Sequence, residues 1–194
     1  MTHQLPDAFN NEAELDEFMT RPSETLISFI RTVASPLVIL GAGGKMGPTL
    51  AVLAKRAATA AIHPLEVIAV SRFSDAGAKM WLNSQGVTTL SSDLLERQQI
   101  DALPNARDII YLVGMKFGTS TNPSRTWAIN TVVPPLICER YQQSRIVALS
   151  TGNVYPLAHV TDSGSLESDP LTPIGEYANA AVARERVFEY CARR

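Results

Sequence analysis

The sequence is short of everything that would mark it for a membrane, a nucleic acid, a metal or an oxidising compartment. It has two cysteines in 194 residues, Cys138 and Cys191, far apart and both in helix-like segments. Each reads as a buried free thiol, which suits a reducing cytoplasm rather than a disulfide framework. Three isolated histidines, His3, His63 and His159, form no metal-ligand spacing. Lys and Arg number 17 against 19 acids, a net charge of −2, and the basic residues are scattered apart from Arg193-Arg194. That balance offers no basic patch to nucleic acid or anionic lipid. No apolar run approaches the roughly 20 residues of a membrane span, and Met1–Asp7 is polar and then acidic, unlike a secretory signal. Neither an internal repeat nor a low-complexity tract is present. A content of 45% hydrophobic and 19% charged residues is that of an ordinary globular protein with one medium domain.

The informative stretch is Gly41-Ala42-Gly43-Gly44-Lys45-Met46-Gly47. It follows the apolar run Pro36–Leu40, which reads as a buried strand, and leads into Pro48–Ala58, rich in helix formers. Strand, glycine turn and helix together form the context in which a chain binds a dinucleotide. Gly41 would let the strand turn, Gly44 would let backbone approach a pyrophosphate, and Gly47 would let helix pack on strand. The helix N-terminus would present free N–H groups and partial positive charge. Lys45 either approaches the phosphates or faces solvent, and Met46 completes the turn.

From Pro36 onward, strand and helix signals alternate. Glu66–Ser71, Val87–Leu90, Asp108–Gly114 and Arg145–Ser150 read as further strands. Asp75–Gln85, Leu94–Leu103, Asn122–Gln143 and Glu176–Arg193 read as helices, the third kinked or interrupted by Pro134-Pro135. Val182, Val187, Phe188 and Cys191 mark the apolar side of the last. This predicts an α/β fold, a Rossmann-type doubly wound parallel sheet over residues 36–194. Residues 1–35 form an N-terminal helical extension, with five acids before Arg21 and helices at Glu12–Met19 and Pro22–Ile30. Packing against the sheet edge, or against a partner subunit in a homodimer, is the plain reading of it. The long loop Pro156–Pro173 follows a strand C-terminus, where such sheets often carry function.

Ser71-Arg72 ends the second strand. An acid there favours NAD, whereas an arginine can pair with the 2′-phosphate of NADP, so the cofactor reading is NADP or NAD with a lean towards NADP. Asp93-Leu94 follows the third strand; Asp93 could meet an adenine amino group or simply cap a helix. Gly114 closes the fourth strand.

Taken together, these residues resemble the extended short-chain dehydrogenase/reductases, in the NAD-dependent epimerase/dehydratase group. Gly41, Gly44 and Gly47 match that family's GxxGxxG. Thr151-Gly152-Asn153-Val154-Tyr155 matches its Ser/Thr-x-x-Val-Tyr signature, and Trp127-Ala128-Ile129-Asn130 its asparagine after strand four. Glu167-Ser168-Asp169-Pro170 and Pro173 look like its approach to the catalytic tyrosine. The resemblance implies hydride transfer with NAD(P) on a small molecule such as a nucleotide sugar. Thr151 would then hydrogen-bond the substrate, and Tyr177 would act as acid/base.

Two departures qualify that implication. The family's Tyr-x-x-x-Lys reads Tyr177-Ala178-Asn179-Ala180-Ala181 here, without the lysine. A free tyrosine titrates near about 10, and Ala181 offers no charge to stabilise its anion; Lys116, just after strand four, could stand in. The chain also stops at Arg194 inside a helix, where the family continues into a C-terminal substrate domain. That reads as a fragment, or as a short form covered by a partner. The readings are therefore an NAD(P)-dependent epimerase, dehydratase or reductase; a non-catalytic NAD(P)-binding module; or a domain serving only assembly.

Overall fold

The apolar runs Leu37–Leu40, Val67–Val70 and Ile109–Tyr111 become the inner strands of one parallel five-stranded sheet because they are covered on both faces, while its two edge strands are more exposed. The protein is described by a computed structural model over residues 6–194; His3 and most of the polar N-terminus, residues 1–5, lie outside the described residues. Helices α1 (Glu12–Met19) and α2 (Glu24–Ile30) come first, followed by β1 (Leu37–Leu40), α3 (Gly47–Ala60) and β2 (Val67–Ser71). Then come α4 (Ala76–Ser84), β3 (Thr88–Ser91), α5 (Arg97–Asp101) and β4 (Asp108–Tyr111). Helix α6 (Pro123–Trp127), a wide π turn (Ala128–Val132) and α7 (Val133–Arg140) precede β5 (Arg145–Ala148), and α8 (Gly175–Ala192) ends the chain. The strand order β3-β2-β1-β4-β5 is that of a dinucleotide-binding half-sheet, with its crevice where the order reverses between β1 and β4.

Successive residues of β1 and β2 enter opposite layers. Leu37, Ile39, Val67 and Ala69 pack under α2, α3 and Leu82 of α4, while Val38, Leu40, Ile68 and Val70 join Ile109, Tyr111 and Ile137 on the other face. Asp75 caps α4 by accepting from Gly77 N at 2.8 Å, and Gly86, at φ 77°, ends it as the sequence predicts.

Several boundaries differ from the sequence reading, each for a physical reason. Strands four and five stop at Tyr111 and Ala148, because Gly41 turns β1 away from the ladder. Leu112 N still reaches Leu40 O (2.8 Å) and Leu149 N reaches Tyr111 O (3.0 Å), but no partner lies beyond. The helix expected from Leu94 starts at Arg97, with Asp93 making a local turn to Leu95 N (3.1 Å) instead of a cap. The interruption expected at Pro134-Pro135 takes the form of the π turn just before them, where the prolines' missing N–H groups leave carbonyls unanswered.

The N-terminal extension packs on α3 rather than on the sheet edge. Ile30 is buried there and Glu17 pairs with Arg56 at 2.6 Å, while α1 buries no side chain. In α8 the buried residues are Ala178, Ala180, Ala181 and Arg184, not the larger apolar ones, because small side chains let the helix approach the π turn closely. Cys138 on α7 and Cys191 on α8 are half-buried free thiols that face each other. Burial first, then contact with Cys191, pushes the Cys138 thiol up to about 12.

Candidate functional site

The C-terminal ends of the strands surround a cavity of about 240 Å³, lined by Gly41, Gly43 and Gly44 of the turn, the exits of β2 and β3, Leu112–Gly114, and Ile129 and Val133. Its floor is backbone. Gly41 sits at φ 82°, and a Cβ there would meet Val113 N at 2.8 Å, so the turn needs glycine twice over. Gly47 lies beneath: a Cβ would stand 2.3 Å from Ala42 O, so the start of α3 presses directly on the strand exit. A Cβ on Gly44 would meet only Gly41 O, at 3.5 Å, and otherwise open space.

The turn spends some of its amides on itself. Gly44 N donates to Gly41 O and Gly47 N to Gly44 O, both at 3.2 Å. Among the described residues the amides of Gly43, Lys45 and Met46 have no such acceptor, and no side chain caps α3. Free N–H groups at the start of a 14-residue helix form a site for an anion. The side chains of Lys45 and Met46 are exposed and do not line the cavity.

The β2 exit brings Ser71 and the exposed Arg72 to the rim. Ser71 Oγ would stand 2.5 Å from a Cβ on Gly43, so a side chain there would have to displace the serine hydroxyl, a constraint invisible without the fold. Phe73 follows in the left-handed region at φ 49°, a strained conformation for a bulky residue that turns the chain around the rim. At the β3 exit, Ser92 lines the cavity with its N tied to Ser71 O (2.9 Å), and its buried hydroxyl has no partner among the described residues. Asp93 and Leu94 line the same wall, as does Gly114.

The remaining candidates stand apart from this cavity. Thr151 begins a one-turn helix (Gly152–Val154) that packs against α8, and its hydroxyl donates to Asn153 Oδ1 at 3.1 Å. Tyr177 is half-buried on the first turn of α8, beside Glu176, which accepts a hydrogen bond from Trp127 Nε1. Lys116 is exposed on the loop after β4. Ala181 is fully buried. Sequence reading missed Arg184: it is 4% exposed, and its Nη1 donates to Val113 O (3.0 Å) and Asn130 Oδ1 (2.9 Å). The alanines around it are the signal that could have found it, since only small neighbours admit a guanidinium there.

The open space at Gly44 and the free amides of the turn fit a dinucleotide. No helix among the described residues is long and apolar enough to cross a membrane. No curated protein sequence matches the chain. Among solved structures, the fold is similar to a UDP-Glc/GlcNAc 4-epimerase from Campylobacter jejuni (19% identity, TM-score 0.67, covering 82% of this chain and 50% of that one). It is also similar to a dTDP-glucose 4,6-dehydratase from Streptomyces venezuelae with NAD bound (21% identity, TM-score 0.70, 81% and 52%). A third is a UDP-glucuronic acid 4-epimerase from Bacillus cereus in complex with NAD (16% identity, TM-score 0.65, 82% and 53%). The chain thus spans about half the length of these proteins. The NAD dependent epimerase/dehydratase family model matches residues 37–194, and the chain belongs to that family.

Proposed function

We propose that this chain is the cofactor-binding part of an NAD(P)-dependent epimerase, dehydratase or reductase acting on a nucleotide-sugar-like substrate. The observation that carries the reading is the backbone cradle: open space beside Gly44, flanked by the free amides of Gly43, Lys45 and Met46. These amides and the α3 N-terminus would hold the pyrophosphate, with Gly47 fixing α3 beneath them. Ser71 and Arg72 would take the adenosine ribose, Arg72 favouring a 2′-phosphate and hence NADP. Asp93, Leu94 and Gly114 would bound the rest of the dinucleotide. Bound NAD(P) would supply a hydride acceptor. Thr151 would hydrogen-bond the substrate oxygen and Tyr177 would hold or release its proton, with Lys116 as an auxiliary cation. Two free thiols suit a reducing cytoplasm, and a homodimer would cover exposed Leu15, Met19 and Phe29 of the extension.

A second reading, an NAD(P)-binding module without turnover, is favoured by Ala181, whose buried methyl puts no cation beside Tyr177. The two part on one experiment. The protein is mixed with NAD or NADP and a panel of UDP- and dTDP-sugars, and epimer or dehydration product is followed by NMR. Product formation that disappears in Tyr177→Phe supports the enzyme. Cofactor binding without product across the panel favours the module, and product formation unchanged by Tyr177→Phe removes the tyrosine from the chemistry.

A further inference from the structure

Among the described residues, Arg184 is a buried cation with no carboxylate on it. Its two acceptors are neutral, the Val113 carbonyl and the Asn130 amide oxygen, and Asn130 is itself held by donating to Thr126 O at 2.8 Å. The neighbouring Glu185 accepts a hydrogen bond from Ser150, two residues past the end of β5. Tyr111 lies near enough to feel the arginine, but burial holds its phenol far above the ordinary range, so it stays neutral. An unpaired buried charge is expensive and persists where something else compensates it.

What lies on the other side is the cofactor crevice. A Cβ on Gly114 would stand 2.8 Å from Arg184 Nη1, and Gly114 lines the cavity. Val113, whose carbonyl the guanidinium holds, is the residue against which Gly41 packs. The positive charge therefore sits one peptide behind both the glycine turn and the Gly114 wall. Helical side chains lean towards the helix N-terminus, so from position 184 the arginine lies over the turn containing Ala180 and Ala181, both fully buried. A long side chain at 181 would take the room the arginine uses.

We propose that Arg184 is a positioning residue for an anionic dinucleotide: it supplies fixed positive charge from behind Gly114 and clamps the β4 exit to α8. This rests on the cofactor reading above. At an effective dielectric near 20, one charge acting over a distance on the order of 10 Å changes the affinity of an anion by about tenfold or more.

The test is the affinity of wild type, Arg184→Met, Arg184→Lys and Gly114→Ala for NADH, NADPH and uncharged adenosine, each at two salt concentrations, with thermal melts alongside. The expected result is a loss of about tenfold in NADH and NADPH affinity for Arg184→Met, with a shallower salt dependence and unchanged adenosine binding. Arg184→Lys should recover most of the affinity. Gly114→Ala, which keeps the arginine but displaces it, should weaken dinucleotide binding in the same direction and serves if Arg184→Met fails to fold. Equal losses for adenosine and dinucleotide would make Arg184 merely structural and overturn the proposal. So would dinucleotide affinity within twofold of wild type in folded Arg184→Met or Gly114→Ala. Failure of wild type to bind either dinucleotide overturns the cofactor reading itself, and the proposal with it.

Discussion

Replacing Gly44 and Gly47 by alanine, one at a time, should separate cofactor binding from folding within four residues of chain. At Gly47 the added methyl would sit 2.3, 2.5 and 2.6 Å from the oxygen, Cα and carbonyl carbon of Ala42, all backbone, and Ala42 is fully buried. Nothing flexible can yield, so α3 must lift from β1. Over-packing of this kind costs about 1–3 kcal/mol, and a clash with backbone belongs at the upper end. Against a total stability of about 5–15 kcal/mol that loss is plain in urea unfolding. At Gly44 the methyl makes one ordinary contact, 3.5 Å from Gly41 O, and the backbone is not left-handed. Stability should hold or rise by about 0.4–1 kcal/mol through the stiffer unfolded chain. The same methyl occupies the space beside the free amides. Displacing a phosphate from one of them removes a charged hydrogen bond of about 1.5–3 kcal/mol, roughly a 10- to 100-fold loss of affinity. Calorimetric titration with NAD and NADP, beside urea melts of both variants, reads the two effects independently. The reasoning fails if Gly44→Ala binds dinucleotide as wild type does, or if it is destabilised as much as Gly47→Ala.

Three further outcomes follow from other parts of the molecule. Burial raises the Asp108 carboxyl, but Arg145 Nε at 2.6 Å and Ala34 N at 2.8 Å outweigh it and hold the group below the ordinary carboxylate range. Asp108→Ala should therefore cost about 1.5–3 kcal/mol at neutral pH. The difference should be full above the ordinary value and fade as pH falls through the depressed one, so melts that differ equally at pH 3 and pH 7 would refute it. Arg72→Ala should weaken NADPH more than NADH, by about tenfold if the guanidinium meets the 2′-phosphate, and equal losses would remove Arg72 from cofactor choice. Ala181→Lys would bring a second cation beside buried Arg184. It should lower the melting temperature by several degrees, and Ala181→Lys with Arg184→Ala should recover part of that loss; simple additivity in this cycle would show that the two sites do not share space.

Much of this arrangement is legible in the sequence because parallel strands covered on both faces must be apolar throughout, and the runs at Leu37–Leu40, Val67–Val70 and Ile109–Tyr111 are. The glycine turn is legible for the same kind of reason: its spacing reflects separate contacts, with Val113 at Gly41 and with Ala42 at Gly47. The fourth and fifth strands end short of Gly114 and Ser150, since apolar character continues after the ladder has lost its partner at Gly41. On the last helix, Phe188 packs on the core and Cys191 faces Cys138 as the periodicity expects, but the fully buried positions are the alanines and Arg184, which a pattern of large apolar residues does not weigh. Gly43 against Ser71, the orphan hydroxyl of Ser92 and the facing thiols Cys138 and Cys191 depend on contacts between distant segments, which no local pattern encodes.

Amide hydrogen exchange with and without NADP tests the central claim most directly, because the cradle is made of backbone N–H groups. Slowed exchange is expected at Gly43, Lys45 and Met46, with lesser protection at Ser71–Ser74 and Leu112–Gly114. Unchanged exchange through the glycine turn at saturating dinucleotide, or protection confined to the opposite end of the sheet around Arg107 and Arg140, would contradict it.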